Sequence, residues 1–244
     1  MVGGAAAADA IARAHRLPDL RVGLHLNLTD GHPMLPGVEV PLLAREDGEF
    51  DRNMARAGLR FAVFPGVRRQ LAMEIRAQFA AFRATGLALD HVNTHQHMHV
   101  HPVVAGLIIE IGRDYGMKAV RVPSEPVAVL SRAFPGERYR TPAYDAWNAL
   151  LRRRLRRAGL RTNDHVFGLA WSGAMVEARL LGLIPHLPDG VSEIYLHPAT
   201  HRPPSLVAAN GSYRRPEELA GLLSPLVRNR IAESDVRLTT YSDL

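Results

Sequence analysis

Apolar runs of period two alternate with longer runs of helical period along this chain, and that alternation limits the fold more than any other feature. In residues 21–28, "RVGLHLNL", Val22, Leu24, Leu26 and Leu28 share one face, while Gly23, His25 and Asn27 share the other, as in a half-buried strand. Residues 68–85 place Leu71, Ile75, Phe79 and Phe82 at spacings of three and four, which is a helical stripe. Residues 87–95 read as the next strand. Pro102 opens a helix that runs to 115 and closes at Gly116, with Val104, Leu107, Ile108 and Ile111 on one side. Short strands follow at 118–123 and 192–200, with a helix at 175–183 ahead of the second. A helical region at 216–232, interrupted at Pro225, precedes a last strand in "VRLTTYSDL", and an Ala-rich helix over 5–15, ended by Pro18, comes first. Strand–helix–strand order calls for parallel pairing through right-handed crossovers, and such folds gather their chemistry at the carboxyl ends of the strands. The expected class is α/β, as one domain over residues 1–244 with no repeat or linker.

Composition narrows the chemistry. The chain has no cysteine, so any metal must be held by His, Asp or Glu. No apolar run reaches the roughly 18–20 residues that span a bilayer. The start, "MVGGAAAADAIARAHRLPDL", lacks a charged segment ahead of an apolar one, so it does not read as a signal peptide, and a cytoplasmic location is expected. The net charge of +6 is almost all arginine, since Lys118 is the only lysine. That bias reflects base composition more than a binding surface, and no nucleic-acid partner is expected. The dense cluster "LLRRRLRRAGLR" at 150–161 reads as an amphipathic helix with a solvated arginine face. The alternative is a helix resting peripherally on an anionic membrane surface.

The stretch "DHVNTHQHMHVHP" holds five of the twelve histidines: His91, His95, His97, His99 and His101. On an extended strand residues two apart share a face at about 6.6–6.8 Å, so His91, Asn93, His95 and His97 line one side. Ligand nitrogens must come within about 2.0–2.1 Å of a zinc-like ion, so the four cannot all bind one cation. Either His95 and His97 chelate together, or one binds while the other orients substrate. His99 and His101 fall in the loop and the helix entrance. His25 is the natural second contributor, as a ligand or as a hydrogen-bonded core histidine. His197, in "YLHPAT", ends another strand and suits a general acid or base. A third ligand is not evident: Asp90 points away from His95, and Asp30 is a loop residue.

Together, "LPDLRVGLHLNLTDGHPMLP", "LDHVNTHQHMHVHP", "GMKAVRVPSEP", "DHVFGLAWSGAM", "SEIYLHPAT" and "YSDL" resemble the YdjC-like carbohydrate deacetylases over essentially the whole chain. "FGLAWSGAM" and "HPAT" resemble their hopanoid-biosynthesis-associated branch. The resemblance implies a barrel-like (β/α) fold and metal-dependent removal of acetyl from an N-acetylated sugar, here an N-acetylglucosaminyl hopanoid glycolipid. It implies one divalent metal ion, magnesium or zinc, held by His25 and His95. His197 is implied as proton donor to the leaving amine, and Asn27, His97 and Arg121 as substrate-binding residues. Homodimer formation is left open. Two departures stand out. Asn93 replaces the family's usual aspartate. Family members also open with a strand ending in N-A-D-D-F-G and a helix, whereas this chain starts at "MVGGAAAADA". The resemblance therefore implies a fold lacking its first strand and helix, with an exposed sheet edge, weak metal binding and little turnover. The rival readings are an inactive or sugar-binding remnant and another barrel metal hydrolase such as a phosphoesterase.

Overall fold

The computed structural model describes residues 1–139, 145–201 and 211–244. In chain order the elements are α1 (Ala7–His15), β1 (Val22–Leu26), α2 (Met54–Val63), α3 (Pro65–Ala84), β2 (Leu89–Thr94), α4 (Pro102–Asp114), α5 (Val127–Ala133), α6 (Asp145–Arg157), β3 (His165–Phe167), α7 (Glu177–Leu183), β4 (Ser192–Ile194), α8 (Arg215–Leu223) and α9 (Pro225–Ala232). They divide into two compact units. The first comprises Met1–Arg121, Ala146–Thr162 and Thr240–Leu244; the second comprises Val122–Asp145 and Asn163–Thr239.

In the first unit β1 and β2 pair in parallel, with Leu24 opposite Val92, His25 opposite Asn93 and Leu26 opposite Thr94. The ladder continues as single parallel bridges, Val92 to Val120 and Ala119 to Arg161. The strand expected at 118–123 is thus reduced to bridge positions. Leu24, Leu26 and Leu28 are buried as the alternation requires. α3 covers the sheet with the buried stripe Val67, Leu71, Ile75, Phe79 and Phe82. Pro65 occupies its first turn, where a missing N–H costs nothing. α3 also buries two polar residues, each with its bonding capacity used. Glu74 accepts the N–H groups of Met34 and Leu35 at 2.8 and 3.0 Å. Gln78 accepts the N–H of Asn27 and donates to its carbonyl, at 2.9 and 2.7 Å. The helix therefore fixes the loop that leaves β1. α6 buries Leu151 and Leu155 and exposes Arg153, Arg156 and Arg157, the amphipathic pattern read from its sequence.

In the second unit β3 pairs in parallel with β4, His165 opposite Ser192 through Phe167 opposite Ile194. Its core is built from Val129, Leu130, Phe167, Trp171, Met175, Leu180, Leu183, Ile184 and Val227. The predicted break at Pro225 separates α8 from α9, with Ser224 capping α9 by accepting from Leu226 and Val227.

Three expectations need correction. The described residues form two two-stranded parallel sheets and no closed barrel; β3 and β4 are three residues each, and 118–123 supplies only bridges. The segment 236–244 is not a strand: it ends in a 3-10 turn, Tyr241–Asp243, in which Thr240 Oγ1 donates to Asp243 at 2.7 Å. Its Ser242 is held by Asp90 instead of by a sheet neighbour. Finally, β2 stops at Thr94, because Gln96 and His97 take left-handed φ values of 51° and 55°. The even alternation expected through His97 therefore ends before His95. No described helix is long and apolar enough to cross a membrane.

Candidate active site

The parallel register brings His25, near the end of β1, beside the carboxyl end of β2. The His25 and His95 rings lie edge to face, with centroids 5.9 Å apart. His25 Nδ1 donates to Asn93 Oδ1 at 2.5 Å, which leaves Nε2 with its lone pair. Burial lowers the His25 pKa to about 3, against the hydrogen bond it donates to Asn93, and burial also lowers that of His95, opposed by Asp30. Both rings are therefore neutral near pH 7, the form that binds a cation.

Asp30, given little weight from sequence, comes close to this pair. It sits at φ +61° in the turn after β1, with Oδ2 4.0 Å from His95 Nε2 and Oδ1 3.4 Å from Arg52 Nε. The same turn is braced by Asn27 Nδ2, which donates to the Asp30 carbonyl at 2.7 Å, and by Thr29, which donates to Gln96 Oε1 at 3.1 Å. Asn27 Oδ1 is buried and accepts no hydrogen bond from a described residue. Among the described residues no group of three or more His, Asp or Glu side chains is placed to hold a metal.

The other histidines of the cluster separate into distinct tasks. His99 is fully buried: Thr94 Oγ1 pairs with its Nδ1 at 2.7 Å, and its Nε2 donates to the Arg121 carbonyl at 2.9 Å. It locks the turn to the neighbouring segment, and burial holds its pKa well below the ordinary value. His101 caps α4, accepting from the Val103 N–H at 3.3 Å, as its place before Pro102 suggested. His97 lies in the left-handed turn, its ring 6.1 Å from that of His99. Arg121 is buried and donates its N–H to the Val92 carbonyl at 3.0 Å.

His197 belongs to the second unit. Its ring stands between Tyr195 and Tyr213, at 5.5 and 4.9 Å. Tyr213 pairs through its hydroxyl with Ser172 at 2.8 Å. Gly173 makes room for the Tyr213 ring, since a Cβ there would fall 2.2 Å from it. The fully buried Glu218 accepts the N–H of Met175 at 2.9 Å and that of His197 at 2.6 Å. Glu125 accepts the N–H groups of Gly168, Leu169 and Ala170. The "FGLAWSGAM" and "YLHPAT" stretches thus meet at Glu218, while Glu125 gathers the first stretch alone, and sequence reasoning missed both carboxylates. An acid in an amphipathic helix reads as solvated, and nothing in the spacing of Glu218 marks it as buried.

A family model described as YdjC-like protein matches residues 1–233. The chain belongs to the YdjC-like family. Relatives of this YdjC-like chain include the carbohydrate deacetylase of Geobacillus stearothermophilus, 30% identical over 96% of this chain and 79% of the relative. The carbohydrate deacetylase of Mus musculus is 31% identical over 100% of this chain and 84% of the relative. That of Vibrio vulnificus strain YJ016 is 30% identical over 100% and 83%. Among solved structures, a protein of Enterococcus faecalis V583, provisionally assigned as a cellobiose-phosphate cleavage protein, superposes with a TM-score of 0.72. It is 22% identical and covers 99% of this chain and 85% of its own, a likeness of fold.

Proposed function

We propose that this chain is a metal-dependent carbohydrate deacetylase that hydrolyses the acetamide of an N-acetylated sugar. The observation that carries the reading is the meeting of two neutral imidazoles, His25 and His95, at the carboxyl ends of paired parallel strands. The family membership and the names of the relatives support the reaction class. The two neutral imidazoles are a partial ligand set for a divalent cation, and they suit zinc better than magnesium, which prefers oxygen. When bound, the cation would supply Lewis-acid polarisation of the acetyl carbonyl. His25 and His95 would hold it, each through one ring nitrogen. His197 would give a proton to the departing sugar nitrogen. Asn27, His97 and Arg121 would bind the sugar; the unused Asn27 Oδ1 supports its part in this.

The sequence stretches "FGLAWSGAM" and "HPAT" support an N-acetylglucosaminyl hopanoid lipid as the substrate. Trp147 and Leu150, exposed on the arginine-rich α6, support peripheral contact with an anionic lipid surface. The test is acetate release from N-acetylglucosaminyl lipid and from free N-acetylglucosamine oligomers, with zinc or magnesium added and with chelator. Slow metal-dependent acetate release, faster on the lipid than on the free oligomers, is expected. Absence of acetate with either metal, or release of phosphate from a sugar phosphate instead, overturns the assignment.

A further inference from the structure

We propose that Asp90, His91 and Asn93 form a hydrogen-bonded positioning array that fixes the ring orientation and tautomer of His25, so that its Nε2 faces the site unprotonated. The proposal rests on the reading of His25 as a metal ligand and assigns three residues of the histidine stretch a common task. Asp90 and His91 pair through Oδ2 and Nδ1 at 2.9 Å, His91 Nε2 and Asn93 Nδ2 lie 3.3 Å apart, and Asn93 Oδ1 meets His25 Nδ1 at 2.5 Å.

The direction of this chain of bonds follows from its anionic end. Asp90 Oδ1 accepts both the N–H and the hydroxyl of Ser242, at 3.0 and 2.6 Å, so this carboxylate acts throughout as an acceptor. His91 must then carry its proton on Nδ1 and accept at Nε2. That turns the Asn93 amide so that Nδ2 donates to His91 and Oδ1 accepts from His25. The opposite amide orientation would place the lone pair of His91 Nδ1 against the Asp90 carboxylate, two acceptors in contact. A ligand histidine generally gives its second ring N–H to a fixed acceptor, which sets its tautomer and ring angle. Here that acceptor is an amide, itself held by a half-buried imidazole and a buried carboxylate.

The packing around His91 is shaped for this ring. Gly23 in β1 lies beneath it, and a Cβ at that position would fall 2.6 Å from the imidazole. Tyr241 stacks on it, with centroids 4.5 Å apart and planes 27° from parallel. The turn Tyr241–Asp243 therefore contributes both the stacking ring and the hydroxyl that anchors Asp90, which gives the "YSD" triplet a part in the array.

The experiment is long-range proton–nitrogen NMR on metal-free protein labelled at histidine nitrogens, at about pH 8, above the ordinary imidazole range. His25 is expected with its proton on Nδ1. Asn93→Leu should give mixed tautomers at His25 and lower zinc affinity by about 10–100-fold. Asn93→Asp, which retains the acceptor, should restore both, and His91→Phe, which keeps a ring on Tyr241, should show a partial loss. The buried His99 serves as an internal control, because its signals should not move if the fold is intact. A His25 proton on Nε2 in the parent protein overturns the array, and so does an unchanged tautomer and zinc affinity in Asn93→Leu. An Nδ1 proton on a His25 whose resonances ignore added zinc leaves the array standing and removes the metal reading.

Discussion

His95→Ala is expected to abolish metal-dependent acetate release, and His25→Ala to do the same. A Lewis acid at a reacting carbonyl is worth several kcal/mol of transition-state stabilisation, which corresponds to a fall of about 10³-fold or more. Each variant should also bind zinc at least about 100-fold more weakly, beyond the range typical of a lost outer partner. Binding affinity and initial rate, measured on the same preparations, check this. His99→Ala should act differently, since both its nitrogens are committed to Thr94 and the Arg121 carbonyl. Rate loss there should follow loss of folded protein, with zinc affinity little changed in the fraction that folds.

The second large effect is expected at Glu218. Its carboxylate is fully buried and accepts two main-chain N–H groups, those of Met175 and His197. Glu218→Ala leaves both donors without this partner, the Met175 N–H in the buried core and the His197 N–H in a half-buried position. Each stranded donor costs about 1–3 kcal/mol, so a loss of roughly 2–6 kcal/mol is expected. Glu218→Gln keeps one acceptor oxygen but turns an NH₂ toward the second N–H, and it should cost about half as much. A fall in the urea midpoint of unfolding with an unchanged slope checks the stability effect. Acetate release by the folded fraction of Glu218→Gln should also decline, because the same carboxylate holds the main chain of His197.

What could be read from the sequence depended on how local the signal was. The alternation in "RVGLHLNL" predicts both β1 and the side on which His25 stands, because Leu24 and Leu26 must turn inward together. Pro102 and Gly116 bracket α4, since each acts on the backbone within one turn. The end of β2 was not legible. Period-two spacing continues through His97, but the left-handed turn at Gln96 and His97 ends the strand and is held by a tertiary bond from Thr29 to Gln96 and by the local Thr94–His99 bond. The last segment failed for a related reason. Val236, Leu238 and Thr240 alternate like a strand, but Ser242 reaches Asp90, 152 residues away in sequence. The pairing of His25 with His95 was anticipated, whereas the approach of Asp30 depends on a positive φ that no composition rule selects. Spacing offered His91, His95 and His97 for one face of the strand and left His99 and His101 to the loop and the helix entrance. In the fold, His91 contacts Asn93, His95 faces His25, His99 locks the turn and His101 caps α4.

The proposed deacetylase chemistry requires one cation shared by imidazoles from β1 and from the end of β2. Zinc titration of the histidine-labelled protein, followed at the ring nitrogens, tests it most directly. The His25 Nε2 resonance and one ring nitrogen of His95 should move together and reach their end points at a single equivalent of zinc, while His99 stays still. Movement of one ring without the other, or of the two at different equivalents, would contradict it.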